Sequence, residues 1–333
     1  MSSRKEQAGD MMKAFELFAE IQDELKLVEA ELGKTVEAPD ELLTATSAHL
    51  LHAGGKRLRP AFALLAAKMT DDNIEKALPI AVALELIHMA TLVHDDVIDA
   101  SMTRRGIPTV KAKWGNRVSM HTGDHIFAKS LMLISQYQDP RIAKVLAEVS
   151  VQMCKGEIQQ IVSSFDVQQG LRDYFYRIKR KTALLISASC QCGAIASGAP
   201  RENVRALTLY GHHLGMAFQI TDDILDLIAD QEELGKPIGG DLRQGIMTLP
   251  IIYALTHSPQ KERLLELVQL REKSEEQVEE AIELIKASGA IEYSFNLSDR
   301  FIRKALEQLA KLPDVPVRDT LGLIASFINL RRY

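Results

Sequence analysis

Two acidic clusters, Asp95-Asp96-Val97-Ile98-Asp99 and Asp222-Asp223-Ile224-Leu225-Asp226, each close a long apolar run, and they constrain this chain more than any other feature. On a helix of 3.6 residues per turn, the first and fifth positions lie about 40° apart and the second about 100° from the first, which predicts all three carboxylates on one face. Such a face repels itself unless a cation sits on it. Hard cations such as Mg²⁺ take oxygen ligands, keep several waters, and are usually held by one or two carboxylates plus substrate phosphates. Two such faces therefore predict a clamp on a diphosphate through shared metal ions. A single cluster of this kind reads as a solvated helix end; a second copy in matched surroundings reverses that reading. His88-Met89-Ala90-Thr91-Leu92-Val93-His94 leads into the first cluster, and His213-Leu214-Gly215-Met216-Ala217-Phe218-Gln219-Ile220-Thr221 into the second.

The apolar runs recur at helical spacing, and Leu, Ala and Ile outweigh aromatic residues at 5% of the chain, so the expected fold is all-α. Helices are predicted over residues 13–32, with Gly33 as a C-cap, over 42–53, and from Pro60 onward. Residues 77–99 are apolar nearly all round and should be central. Residues 100–115 read as a loop. Further helices are predicted over 124–137, 142–163, 174–196 and 201–227, from Leu249-Pro250, and as charged amphipathic segments over 262–287 and 293–312. Residues 325–333 end the chain with Arg331-Arg332. No linker or short-period repeat divides residues 1–333, and the two acidic clusters suit two walls of one bundle around a central active-site cavity rather than two domains.

Composition excludes several classes. Hydrophobic residues at 46% and charged residues at 26% describe a globular chain, and a net charge of −5 gives no footprint for nucleic acid. Glu85, His88 and His94 interrupt the longest apolar run, so no transmembrane segment is expected. The first ten residues are polar and mixed in charge, unlike a signal peptide, which points to a cytoplasmic protein. Cys154, Cys190 and Cys192 lack metal spacing and read as small core residues. His94, His212 and His213 read as helix residues, and Met89, Met216 and Phe218 as core.

Cations stand beside the acidic faces in turns rich in glycine and proline. Gly54-Gly55-Lys56-Arg57-Leu58-Arg59-Pro60 offers backbone N–H groups and guanidinium forks to phosphate oxygens, without the Walker spacing. Arg57 stays open between phosphate contact and scaffold. Arg104-Arg105 follow Asp99 closely enough to reach back toward metals there, and Lys236 in its glycine loop does the same for Asp226. A site with separate metal-bridged and cation-bound regions suits two diphosphates at once.

With Gly54-Gly55-Lys56-x-x-Arg59, the block Glu85 through Asp99 with Arg104-Arg105-Gly106, Lys181-Thr182, and Phe218-Gln219 through Asp226 with Gly235-Lys236 and Gly240-Asp241 in this order, the chain resembles the trans-type polyprenyl diphosphate synthases over essentially its whole length. It is most similar to the catalytic larger subunits of bacterial two-component heptaprenyl and hexaprenyl diphosphate synthases, including residues 108–127. The resemblance implies Asp95, Asp99 and Asp222 as principal ligands of Mg²⁺ on an allylic diphosphate, with Asp96, Asp223 and Asp226 as ligands or supports. It implies Arg104, Lys181 and Lys236 as grips on that diphosphate, and Lys56, Arg59, His88 and Arg105 as the metal-free seat of isopentenyl diphosphate. Thr182 and Gln219 would present oxygen dipoles to the allylic cation, and the departed diphosphate would act as base. The partner implied is a smaller regulatory subunit, otherwise a homodimer, and the product a heptaprenyl or hexaprenyl diphosphate for a respiratory quinone.

Product length is expected to follow the side chains upstream of Asp95: Ala90 and Thr91 lie five and four positions before it, and Ile87 one turn deeper. Their modest size suits a medium to long product. Three alternatives stand beside this reading: a shorter-chain farnesyl or geranylgeranyl synthase, a mainly structural subunit, and a class I terpene cyclase. The cyclase is disfavoured because its second motif is typically an Asn/Ser/Glu pattern, and the structural subunit because all six aspartates are retained.

Overall fold

The computed structural model describes residues 19–229 and 238–330, nearly all of them helical. In chain order the helices are α1 (Gln22–Val36), α2 (Glu41–His52), α3 (Leu58–Lys68), α4 (Leu78–Ile98), α5 (Val110–Ile134), α6 (Pro140–Val162), α7 (Leu171–Ile178), α8 (Leu184–Ala196), α9 (Arg201–Ile228), α10 (Gly240–Gln244), α11 (Leu249–His257), α12 (Lys261–Gln269), α13 (Glu275–Ala287), α14 (Ala290–Leu309) and α15 (Pro316–Leu330). A π-helical turn, Lys179–Ala183, joins α7 to α8, and two short strands, β1 (Thr103–Arg104) and β2 (Ile107–Pro108), pair antiparallel after α4.

Helix α4 is the axis of the first half. Its side chains from Ile80 through Ile87 are buried on every side of the helix, as its all-round apolar sequence predicts. Each fully buried Leu or Ile stabilises by ~1.5–3 kcal/mol, so this helix is held in place more firmly than any surface element. The stretch Ile74–Ile98 is long and apolar enough to cross a membrane, contrary to the sequence expectation, but 67% of its apolar window is buried inside the fold. Helix α4 packs against α5 and α3, and α9 against α8 and α14. Small residues set these distances. A Cβ on Gly193 of α8 would stand 2.0 Å from the Ala63 carbonyl oxygen of α3, and one on Gly215 of α9 would stand 2.6 Å from Ala183 Cα.

Two apolar cores result. One gathers α1, α3, α4, α8 and α15; the other gathers the acidic end of α9 with α11, α12 and α13; Phe301 packs against both. Helix α9 passes from the first core, at Leu207 and Tyr210, to the second, at Ile220 and Ile224. Its Asp222 end and the Asp95 end of α4 are thereby rooted in different cores.

Several boundaries differ from the sequence expectation. Helix α1 runs through Gly33 to Val36, because Val28, Leu32 and Val36 continue one buried stripe. Residues 100–115 are more than a loop: β1 and β2 form a hairpin, and α5 starts at Val110, where the Thr109 hydroxyl accepts from the Ala112 N–H at 3.0 Å. That helix kinks at Gly115, whose φ of +83° only glycine adopts cheaply. The predicted helix over 262–287 breaks into α12 and α13, and Ser274 and Gln277 form a capping box at the second start. Helix α15 begins well before residue 325. Residues 13–18 of the first predicted helix, most of the glycine loop with Lys236, and Arg331-Arg332 lie outside the described residues.

Candidate active site

The first acidic face forms where α4 ends. Asp99 caps the helix, its N–H donating to the Asp95 carbonyl at 2.8 Å, and the Asp95 and Asp99 carboxylates sense one another across that turn. Asp96 does not share their face, contrary to the reading from spacing. Its 100° offset carries it into the fold, where it is 2% exposed, and Arg104 grips its Oδ1 with Nη2 at 2.7 Å and Nε at 2.8 Å. A carboxylate so buried needs a partner, so the hairpin delivers one. Arg104 and Asp96 are thereby paired through Nη2 and Nε, while the Arg104 side chain stays 27% exposed.

Opposite Asp95 and Asp99 stands Lys181, on the π turn, with Nζ 3.0 Å from Glu157 Oε2 of α6. Burial, reinforced by Glu157 and Asp99 and only partly offset by Lys181 and Arg104, pushes the Asp95 carboxyl up to about 7. Asp99 is raised as well, by burial and by the same Glu157. The π turn and Glu157 were not legible in the motifs, although π turns concentrate at functional sites.

The second face lies on the last turns of α9. Asp223 is 5% exposed and both its oxygens are taken: Tyr174 Oη donates to Oδ2 at 2.7 Å and Gln219 Nε2 to Oδ1 at 2.8 Å. Gln219 Oε1 in turn accepts from Thr182 Oγ1 at 2.5 Å. Asp226 Oδ2 accepts from the Asp241 N–H at 3.0 Å, and its carbonyl from the Gly239 N–H at 2.7 Å, so this residue ties down the chain returning to α10. Asp222 alone of the three is partly open to solvent. As at the first face, the buried neighbours already accept hydrogen bonds from the protein.

Asp222 also faces the basic turn, since its charge acts on the Arg59 guanidinium. Arg57 resolves as scaffold: in a left-handed conformation at φ +47° it reaches inward to Glu29, to Glu85 Oε1 at 3.0 Å and to the Leu51 carbonyl at 3.3 Å. Arg59 keeps a buried Nε with no hydrogen-bond partner, beside Arg105 and Glu85. Arg105 lies over Gly55, where a Cβ would meet its Nη1 at 2.8 Å. His88 is held well below the ordinary histidine range by burial and by Arg59, Arg105, Arg104 and Arg57, so its imidazole is neutral at pH 7. Lys56 sits exposed on the same turn. A concentration of guanidinium groups with one unsatisfied buried donor is a seat for an anion.

Among the described residues, no three His, Cys, Asp or Glu side chains gather closely enough to hold a metal ion by themselves. The donor set nonetheless suits a hard divalent cation: Asp95 and Asp99 are oxygen donors under mutual repulsion, Asp222 is a third on α9, and Glu157 Oε1 beside them is buried without a partner. Ions held by one or two carboxylates and completed by substrate oxygens need no such preformed trio. Below the site, Ile87 and Ala90 are 2% and 1% exposed, and Thr91 donates its hydroxyl to the His88 carbonyl at 2.8 Å.

The family model described as polyprenyl synthetase matches residues 40–285. The chain belongs to the polyprenyl synthetase family. It is 47% identical over 322 residues to the heptaprenyl diphosphate synthase component 2 of Bacillus subtilis (strain 168), covering 97% of this chain and 92% of that one. Among solved structures it is similar to the heptaprenyl diphosphate synthase from Staphylococcus aureus, with TM-score 0.89, 38% identity, and 94% and 99% of the two chains covered. It is similar also to a polyprenyl synthase from Caulobacter crescentus CB15 complexed with calcium and isoprenyl diphosphate, with TM-score 0.91, 34% identity, and 96% and 98% covered. The chain is a prenyltransferase of the prenyl diphosphate synthase type, and its fold is the all-α isoprenoid synthase bundle.

Proposed function

We propose that this chain is the catalytic component of an all-trans synthase that condenses isopentenyl diphosphate with an allylic diphosphate, farnesyl diphosphate in the first instance, to heptaprenyl or hexaprenyl diphosphate. The carrying observation is the juxtaposition of an anion seat around Arg59, Arg105 and His88 with acidic faces at Asp95, Asp99 and Asp222. One diphosphate fits the cations directly; the other fits the acidic faces through Mg²⁺. Bound there, Mg²⁺ would supply neutralisation of the charge that builds on the leaving diphosphate.

The protein groups then have separate tasks. Asp95, Asp99 and Asp222 hold the cation, while Lys181, kept protonated by Glu157, Asp95 and Asp99 against the opposing effect of burial, adds a fixed positive charge beside the same diphosphate. Lys236 is assigned the same task from the motif. Lys56, Arg59 and Arg105 grip isopentenyl diphosphate, and neutral His88 adds a hydrogen bond without further charge. As the allylic C–O bond breaks, Thr182 and Gln219 turn the negative ends of their dipoles to the carbon that becomes cationic. The isopentenyl double bond forms the new C–C bond, and a proton leaves to the departed diphosphate, restoring a double bond. Ala90 and Thr91 leave room for the growing chain.

A second subunit is part of this reading. On α6, Ala147, Val151, Cys154, Ile158 and Ile161 are all exposed at the alternating four and three spacing of a coiled-coil seam. Ile158 and Val162, 62% and 80% exposed, border a surface cavity of about 740 Å³ with Tyr176. An apolar seam of this kind suits a smaller helical subunit, in line with a relative that is itself a component 2; a homodimer is the alternative occupant. The enzyme is read as cytoplasmic, because its most membrane-like helix is core, and as serving quinone side-chain synthesis.

The test is a condensation assay with Mg²⁺, farnesyl diphosphate and isopentenyl diphosphate, on the purified chain with and without its cognate small subunit, with product length measured. Heptaprenyl or hexaprenyl product from the pair, lost at least ~100-fold in Asp95→Ala and Asp222→Ala, is expected; a hundredfold corresponds to ~2.7 kcal/mol of barrier. Only farnesyl or geranylgeranyl product would move the assignment to a shorter-chain synthase, and full activity without a partner would remove the two-component reading.

A further inference from the structure

The proposed roles of Thr182 and Gln219 depend on which way the Gln219 carboxamide faces, and the residues behind it settle that. We propose that Tyr174 is a positioning residue for the allylic cation: through Asp223 it locks the Gln219 carboxamide with its oxygen toward Thr182 and the reacting carbon. This rests on the condensation reading above and names a residue that no motif in the sequence identified.

The hydrogen bonds admit a single orientation. Tyr174 is fully buried and its hydroxyl faces the Asp223 carboxylate, an acceptor without a proton to give, so the hydroxyl is the donor. It donates to Asp223 Oδ2 at 2.7 Å, which leaves the carboxylate as acceptor for Gln219 Nε2 at 2.8 Å. With the amide nitrogen fixed on Asp223, Oε1 must face Thr182, whose hydroxyl spends its only proton on it at 2.5 Å. What remains for a substrate is the free lone pairs of Thr182 Oγ1 and of Gln219 Oε1, both negative ends of dipoles. Reversing the carboxamide would instead aim an NH₂ group at a developing cation, which is repulsive.

The anchor of this chain of bonds is rigid. Arg177, one turn after Tyr174, lies 5.7 Å from its ring and is itself fixed by the Met247 carbonyl at 2.7 Å and Gln169 Oε1 at 3.1 Å. The orientation of the Thr182 and Gln219 groups is thus set from behind by α7 and by the entrance to α11.

Tyr174→Phe removes one proton donor and keeps the ring. In the complete enzyme, its kcat should fall about 10- to 100-fold, less than the ~10²–10³ typical of deleting a direct stabilising dipole, while KM for both diphosphates stays within about threefold. The deciding comparison is a double-mutant cycle. In a Gln219→Ala background, Tyr174→Phe should change kcat by less than about twofold, because the group it positions is gone. A merely structural tyrosine would lower kcat by the same factor in both backgrounds, and that additivity overturns the proposal, as does an unchanged kcat in Tyr174→Phe alone. Should Tyr174→Phe lose its cooperative thermal unfolding, Asp223→Asn replaces it in the same cycle with the same criteria. If wild-type enzyme with its partner condenses nothing, the condensation reading itself fails and the positioning role falls with it; an active wild type with an additive cycle refutes the positioning role alone.

Discussion

Glu85→Gln separates the scaffold of the anion seat from its chemistry. Glu85 is 2% exposed; its Oε1 meets Arg57 Nη1 at 3.0 Å, and its Oε2 is buried without a partner. Removing one member of a buried ion pair typically costs ~3–5 kcal/mol. Arg57 retains Glu29 and the Leu51 carbonyl, and the glutamine keeps the shape and one acceptor, so the cost here should be about 2–3 kcal/mol. For a chain of this size that is a fall in Tm of roughly 3–6 °C. Binding should move the other way. Glu85 opposes the charges of Arg59 and Arg105, and its loss leaves the seat more positive, so KM for isopentenyl diphosphate should fall a few-fold with KM for the allylic substrate unchanged. Thermal unfolding and steady-state kinetics read the two effects independently. An unchanged Tm, or a raised KM for isopentenyl diphosphate, would refute the assignment of Arg57 to the scaffold and of Arg59 with Arg105 to the anion.

The raised Asp95 carboxyl makes the metal-free protein lose stability as pH rises from the ordinary carboxylate value through about 7, because the folded state binds a proton that the unfolded state has released. Asp95→Asn should therefore raise Tm at pH 8 and leave it little changed at pH 4, and wild-type Mg²⁺ affinity, measured by calorimetry, should weaken below about pH 7. Gly193→Ala forces a Cβ against the Ala63 backbone and should destabilise by at least ~3 kcal/mol, read by chemical denaturation; a loss under ~1 kcal/mol would mean α3 and α8 slide apart easily. Ala90→Phe should shorten the product toward farnesyl or geranylgeranyl diphosphate, read by chromatography of the dephosphorylated chains, and an unchanged distribution would place the tunnel along another wall.

The helices and the paired acidic clusters were legible because both depend on local periodicity. The apolar pattern of residues 77–99 gave α4 within a residue at each end, and Asp95 with Asp99 fell on one face as spacing requires. The inward turn of the second aspartate of each cluster was not legible from spacing. Whether Asp96 and Asp223 face a metal or the interior is decided by Arg104 on a hairpin and by Tyr174 on α7, contacts that sequence spacing does not encode. The hairpin itself was hidden because its strands span two residues each and its turn carries Arg105 at φ +52°, an uncommon conformation for arginine. Similarly, the π turn places Lys181 and Thr182 with one residue more than an α-helix would use, a shift invisible in an otherwise helical pattern. The break between α12 and α13 was the opposite case, with Ser274 and Gln277 offering a capping signal that the amphipathic pattern obscured.

The central claim, that one diphosphate is seated by cations and the other by carboxylates through a metal, is tested most directly by calorimetry. Isopentenyl diphosphate and a thiolo analogue of farnesyl diphosphate, which resists ionisation, are each titrated into the complete enzyme with Mg²⁺ and with a chelator. Isopentenyl diphosphate should bind under both conditions and lose affinity in Arg59→Ala. The allylic analogue should bind only with Mg²⁺ and lose affinity in Asp95→Ala and Asp222→Ala. Equal dependence of both ligands on Mg²⁺, or allylic binding that survives the chelator, would contradict the account.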